Sequence, residues 1–175
     1  QDGVSRVVLI GASSGARMKE VLLNLSSASQ SLGEYVPLDI WTRDSKELVK
    51  GIVDSAKWSL GPVTIHTAPK FSSPLLWASV WDPAIDVDDE NAIILEDTAQ
   101  VTEGLLQFVA KARSWYSGVP ELAGVALSKD LPIAATEPFL YPAVPDVLAF
   151  APASPGLWRE YRSWIHDHRH EIGFL

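Results

Sequence analysis

The sequence predicts an α/β fold built on a largely parallel sheet, and three observations carry that expectation. Short β-favouring apolar runs alternate along the chain with stretches whose apolar residues recur at helical spacing. One of those runs, Ala92 to Leu95, is apolar on both faces, which suits the centre of a sheet covered by helices. The first run leads through a glycine-bounded turn, Gly11-Ala12-Ser13-Ser14-Gly15, straight into a helical pattern, as a strand enters a helix in nucleotide-binding sheets. A chain of 175 residues is long enough for one well-buried core, so residues 1–175 are read as a single domain.

Val7 to Ile10 is the first expected strand, and Met18, Val21, Leu22 and Leu25 form the apolar stripe of the helix after it. Leu38 to Trp41 is the second strand; Asp44 or Ser45 then caps a helix with Leu48, Ile52, Val53 and Ala56 on one face. "GPVTIHT", bounded by Gly61 and Pro62, gives the third strand, and "SPLLWASVW" a short apolar helix ended by Asp82-Pro83. The acidic run from Asp86 to Glu90 reads as an exposed loop. "NAIILEDT" is the fourth strand, with its acids at the C-terminal end. Thr102 caps the next helix, whose inward positions are Leu105, Phe108, Val109 and Ala112. "ELAGVAL" is a fifth strand. Six of the twelve prolines lie between 132 and 155, where long regular elements are disfavoured. "PGLWREYRSWIHDHRH" closes the chain with a helix that turns Leu157, Tyr161, Trp164 and Ile165 inward. The alternation of strands and helices makes the sheet Rossmann-like, mostly parallel and flanked by helices.

Composition narrows the function classes. A net charge of −8, with the Lys and Arg scattered, repels a polyphosphate backbone and argues against nucleic acid as a partner. The absence of cysteine removes disulfides, thiolate metal sites and cysteine nucleophiles together. No run is apolar for long enough to predict a membrane span, and residues 1–20 show no charged stretch followed by an apolar core, so neither membrane contact nor a signal peptide is expected within the chain.

Three chemistries use a turn like Gly11–Gly15. A short-chain dehydrogenase opens similarly, but no further glycine follows Gly15 at the expected spacing, and none of Tyr116, Tyr141 or Tyr161 has a lysine after three intervening residues. Gly11-x-Ser13-x-Gly15 also fits the nucleophile elbow of a serine hydrolase using Ser13, with Asp97 and His166 as partners that any chain of this length would offer. The plain reading is a polar turn that caps the first helix through Ser13 or Ser14.

The stretch from Trp77 to Tyr116 is the most informative. A buried strand ending in consecutive carboxylates puts negative charge beside the crevice where open α/β sheets bind ligands. Such a pair can bind a divalent ion through oxygen, or accept hydrogen bonds from ribose hydroxyls and base nitrogens. As a structural alternative, Glu96-Asp97 is a favourable charge pair at the N-terminus of the helix that follows.

From residue 5 to 128 the order of elements resembles the donor half of glycosyltransferases with the GT-A fold, especially the family-2-like and N-acetylglucosaminyltransferase-like enzymes. The matching residues are Val7–Ile10, the helix from Ala16, Asp39 to Asp44, Trp58 with Gly61, Trp77 and Trp81, and "ILEDTAQV". "AGVALS" and "LWREYRSWI" are similar to the family's later strand and Trp-containing helix. The resemblance implies a nucleotide-sugar donor, a UDP-sugar, transferred to a hydroxyl of a glycan or small-molecule acceptor, in the secretory pathway or Golgi lumen. By the same resemblance the site comprises Gly11, Ala12, Ser13 and Arg17 in the first turn, Asp44 after the second strand, and Glu96 and Asp97 at the acidic strand end. A manganese or other divalent ion would sit at Asp97 and Thr98. There Thr98 replaces the carboxylate that the family uses as metal ligand, and a hydroxyl offers a hard dication neither charge nor a second oxygen. No catalytic base is assigned; Glu137, Asp146 and Glu160 are the acids available after the strand. The residues beyond Thr98 are fewer than the family's acceptor half, so the chain is either a piece of a longer protein or a shortened relative. The second function class is accordingly a catalytically inactive GT-A-like module, structural or interacting within a larger assembly.

Other features read plainly. His166, His168 and His170 suit a solvated helix end better than a metal site. Asp86, Asp88, Asp89 and Glu90 lack the ligand spacing of a calcium loop. Of the seven tryptophans, Trp41, Trp77, Trp81 and Trp164 fall on apolar faces and are expected in the core, whereas Trp58 and Trp115 are the exposed candidates for sugar stacking.

Overall fold

The computed structural model describes residues 4–11, 15–30, 35–70, 73–86, 90–119, 122–127 and 149–172. The sheet has six strands: β1 (Arg6–Gly11), β2 (Leu38–Thr42), β3 (Val63–Thr67), β4 (Ala92–Glu96), β5 (Gly124–Ala126) and β6 (Ala149–Pro152), in the order β3-β2-β1-β4-β6-β5. The first four run parallel, and β6 lies antiparallel between β4 and β5. The helices are α1 (Gly15–Gln30), α2 (Lys46–Ala56), α3 (Ser73–Ser79), α4 (Leu105–Tyr116), α5 (Pro155–Asp167) and the short α6 (Arg169–Ile172). The fold is thus the expected α/β architecture, a mostly parallel, mixed sheet flanked by helices.

The two faces of β1 show how the layers form. Side chains alternate along a strand, so Val7 and Leu9 face one way and Val8 and Ile10 the other. Val7 and Leu9 pack with Met18, Leu22 and Leu25 of α1, Val49 and Val53 of α2, and Leu106 and Val109 of α4. Val8 and Ile10 pack with Val80, Trp81 and Trp158, joined by Leu76 and Trp77 of α3 and Tyr161 of α5. Aliphatic residues fill one layer and rings the other, with Trp158 at 5.8 Å from Trp81 and 5.0 Å from Tyr161 between centroids.

Local chemistry fixes the element ends. Ser45 is the α2 N-cap, accepting from the Leu48 N–H at 3.3 Å, and Ser154 caps α5 in the same way ahead of Pro155. Gly61 lets β2 and β3 start side by side, because a Cβ there would stand 2.7 Å from the Val36 carbonyl oxygen.

Several expectations change at the level of single residues. On α2 Val49 is buried and Leu48 is exposed. Helix α4 begins after Gly104 with no side-chain cap, so Thr102 contributes only its carbonyl, which accepts from Leu105. That helix buries Leu106, Val109, Ala112 and Arg113, leaving Phe108 exposed. The rotation follows from Arg113, whose Nη2 donates to the carbonyls of Ala92 at 3.0 Å and Pro152 at 2.7 Å, tying α4 to β4 and β6. Burial pushes the Arg113 guanidinium down to about 10, and it stays charged at neutral pH. On α5 Trp158 is buried and Leu157 and Trp164 are exposed, because the Trp158 indole reaches the Trp81 carbonyl at 3.0 Å. Strand β6 forms within the proline-rich stretch: Pro152 is its last residue, where the missing N–H costs no ladder bond.

Candidate functional site

Strand order reverses between β1 and β4, the position where open α/β sheets leave a crevice at the strand C-termini. The parallel register sets Ile10 beside Glu96, and the Asp97 N–H continues the ladder to the Ile10 carbonyl at 2.9 Å. Gly11 therefore ends its strand next to the acidic pair. A Cβ at Gly11 would stand 2.7 Å from Met18 Cε and 3.2 Å from Thr42 Oγ1, so glycine here admits α1 and β2 close to the strand end.

The two acids differ. Glu96 is half-buried on the α3 side of the sheet, where the Trp77 indole N–H donates to Oε1 at 3.2 Å and the Thr98 hydroxyl to Oε2 at 3.4 Å. Asp97 is 2% exposed, enclosed in the turn after the strand. Arg17 is exposed in the first turn of α1, and Asp44 is exposed just beyond β2, with its N–H donated to Thr42 Oγ1 at 3.1 Å. The sheet thus gathers Gly11, Glu96, Asp97 and Thr98 at one strand junction, with Asp44 following the neighbouring strand. Ala12 and Ser13 lie outside the described residues, as do Glu137 and Asp146; Glu160 is exposed on α5.

Among the described residues no three His, Asp or Glu side chains come together to hold a metal ion. A hard dication takes about six oxygen ligands. At the strand end Thr98 directs its hydroxyl proton to Glu96, and Glu96 already accepts from Trp77, so this donor set suits a dication poorly.

A second polar cluster lies on the face that carries α3 and α5, toward the strand starts. Arg6 Nη1 pairs with Asp39 Oδ2 and its Nε with Glu90 Oε1, while His66 Nε2 meets Asp39 Oδ1 at 3.0 Å. His66 also stacks on Trp41, with centroids 4.5 Å apart. Burial acts to lower the Arg6 guanidinium, but the hydrogen bonds and charges of Glu90 and Asp39 outweigh it and hold the group above its ordinary value. Glu90 is therefore an ion-pair partner, where the sequence suggested a solvated loop. The signal was strand alternation: Arg6 shares the parity of Val8 and Ile10, and Val8 is in register with Asp39.

A groove of about 440 Å³ runs between α3 and α5, lined by Leu75, Ala78, Asp82, Arg162, Ile165 and His166 among others. It contains none of the predicted nucleotide-site residues, and Arg162 donates to the Ala78 carbonyl at 2.7 Å and pairs with Asp82. The histidines of the closing helix serve its end: the His168 ring donates to the Trp164 carbonyl at 2.8 Å and stacks on the Trp164 ring. Trp115 is exposed as expected; Trp58 is half-buried against the aliphatic layer. Trp81 is in the core, Trp41 and Trp77 are half-buried, and Trp164 is exposed, contrary to its assignment inward.

No helix among the described residues is long and apolar enough to cross a membrane. No protein-family model matches the sequence, and no curated protein matches it.

Proposed function

We propose that this chain binds a nucleotide-sugar, a UDP-sugar, at the C-terminal rim of the sheet between β1 and β4, and transfers the sugar to an acceptor hydroxyl in the manner of GT-A glycosyltransferases. The observation that carries the reading is the position of Glu96, a half-buried carboxylate held by neutral donors at the point where strand order reverses. A carboxylate there is an acceptor for the hydroxyl and N–H groups of a nucleoside. Two further features support it. The element order behind the glycosyltransferase resemblance is the order of the fold, and Arg17, exposed in the first turn of α1, offers a cation near the same rim.

Thr98 favours a second reading, a GT-A-like module that has given up turnover, since its hydroxyl stands where the resemblance expects a metal-binding carboxylate. Calorimetry with UDP, with manganese and with EDTA, followed by a transfer assay with UDP-sugars, separates the two. Micromolar UDP binding with sugar transfer establishes the enzyme, and binding without transfer establishes the inactive module. No binding at millimolar UDP removes the nucleotide from both.

A further inference from the structure

We propose that Trp77 is a positioning residue of this site, acting through Glu96; the inference rests on the nucleotide-binding reading above. Helix α3 packs on the ring-filled layer, and Trp77 spans from that layer to the strand rim, where its N–H donates to Glu96 Oε1 at 3.2 Å. Thr98 supplies a longer, weaker donor to Oε2 at 3.4 Å. Each carboxylate oxygen accepts about two hydrogen bonds, so both keep a lone pair for a ligand. With both oxygens tethered, the carboxylate is ordered before a ligand arrives, and binding does not have to order it.

Packing alone does not account for this contact. In the same region Trp158 donates to a backbone carbonyl, and among the described residues the buried N–H groups of Trp41 and Trp81 have no acceptor. An indole that only fills space there has no need of the rim carboxylate. The role also gives Thr98 a function: it is the second tether of Glu96.

The test uses the whole chain. Trp77→Phe keeps the ring packing and deletes the donor, and it lowers UDP affinity about tenfold, the weight of one hydrogen bond to a charged group. Thr98→Val lowers it by about threefold and Thr98→Ser restores it, with melting temperatures close to wild type in both. In an amide spectrum of ¹⁵N-labelled protein, the indole N–H peak that Trp77→Phe removes is shifted by Glu96→Ala and returns toward its place in Glu96→Gln, which keeps an acceptor oxygen. Equal UDP affinity in wild type and Trp77→Phe overturns the proposal, and so does an indole peak that Glu96→Ala leaves unmoved. Wild-type protein that ignores UDP, with the indole peak still responding to Glu96→Ala, fails the nucleotide reading instead.

Discussion

The acids of this sheet are handled in two ways. Asp39 and Glu90, toward the strand starts, share a single guanidinium, and Asp39 also meets His66. At the other end of β4, Glu96 is held by an indole and a hydroxyl, neither of which carries charge. An ion pair cancels charge inside the protein and spends it on the fold; neutral donors orient a carboxylate and leave its charge for something else. Acidic residues on a sheet therefore do not mark a ligand site by themselves. The identity of their donors separates the structural pair from the candidate carboxylate, Glu96.

Three substitutions and a metal test press on that contrast, and a fourth substitution probes the surrounding fold. The largest effect belongs to Arg6→Met, which strips two mostly buried carboxylates of their cation. It costs about 2 kcal/mol by urea denaturation, less than a fully buried pair would lose because the Arg6 side chain is 33% exposed, and it leaves UDP affinity unchanged. Glu96→Gln reverses the pattern: UDP affinity falls about tenfold, equal to about 1.4 kcal/mol, while stability stays within about 0.5 kcal/mol. Asp39→Asn follows, with about 1 kcal/mol of stability lost and no change in UDP binding; a loss of UDP affinity here would erase the distinction between the clusters. Replacing manganese with EDTA changes UDP affinity by less than about twofold, since Thr98 brings no charge to a dication. The smallest effect is alkaline and comes from neither cluster. Burial raises the Tyr161 phenol, so the unfolded chain ionises first, from its ordinary value of 10.0, and stability declines as pH rises above it. Tyr161→Phe flattens that decline in a pH series of melting curves.

Much of the scaffold was legible because its signals are local. The cores of β1 and β4 are continuous apolar runs, and the Ser45 cap is a single side chain. What escaped was set by contacts distant in sequence. Helix α4 has apolar residues on two adjacent stripes, so periodicity cannot choose between Phe108 and Leu106; the carbonyls of Ala92 and Pro152, reached by Arg113, make the choice. Helix α5 is decided likewise by the Trp81 carbonyl, which draws in Trp158 ahead of Leu157. Strand β6 was hidden because prolines dominate its neighbourhood, and only its pairing with β4 and β5 reveals it. At the candidate site the acids could be found from sequence, whereas the Trp77 donor could not, since residues 77 and 96 meet only once α3 has packed.

The reversed strand has one more consequence. Because β6 runs back beside β5, with Ala126 in register with Phe150, the Leu127 N–H closes on the Ala149 carbonyl at 2.9 Å. The sheet is thus zipped shut on both sides of residues 128–148, and both zippered ends open on the same rim as Glu96. Lengthening a connection so closed adds only about 0.6 kcal/mol per doubling. The pairing of β5 with β6 thus holds the register of this sheet edge whatever sequence joins the two strands.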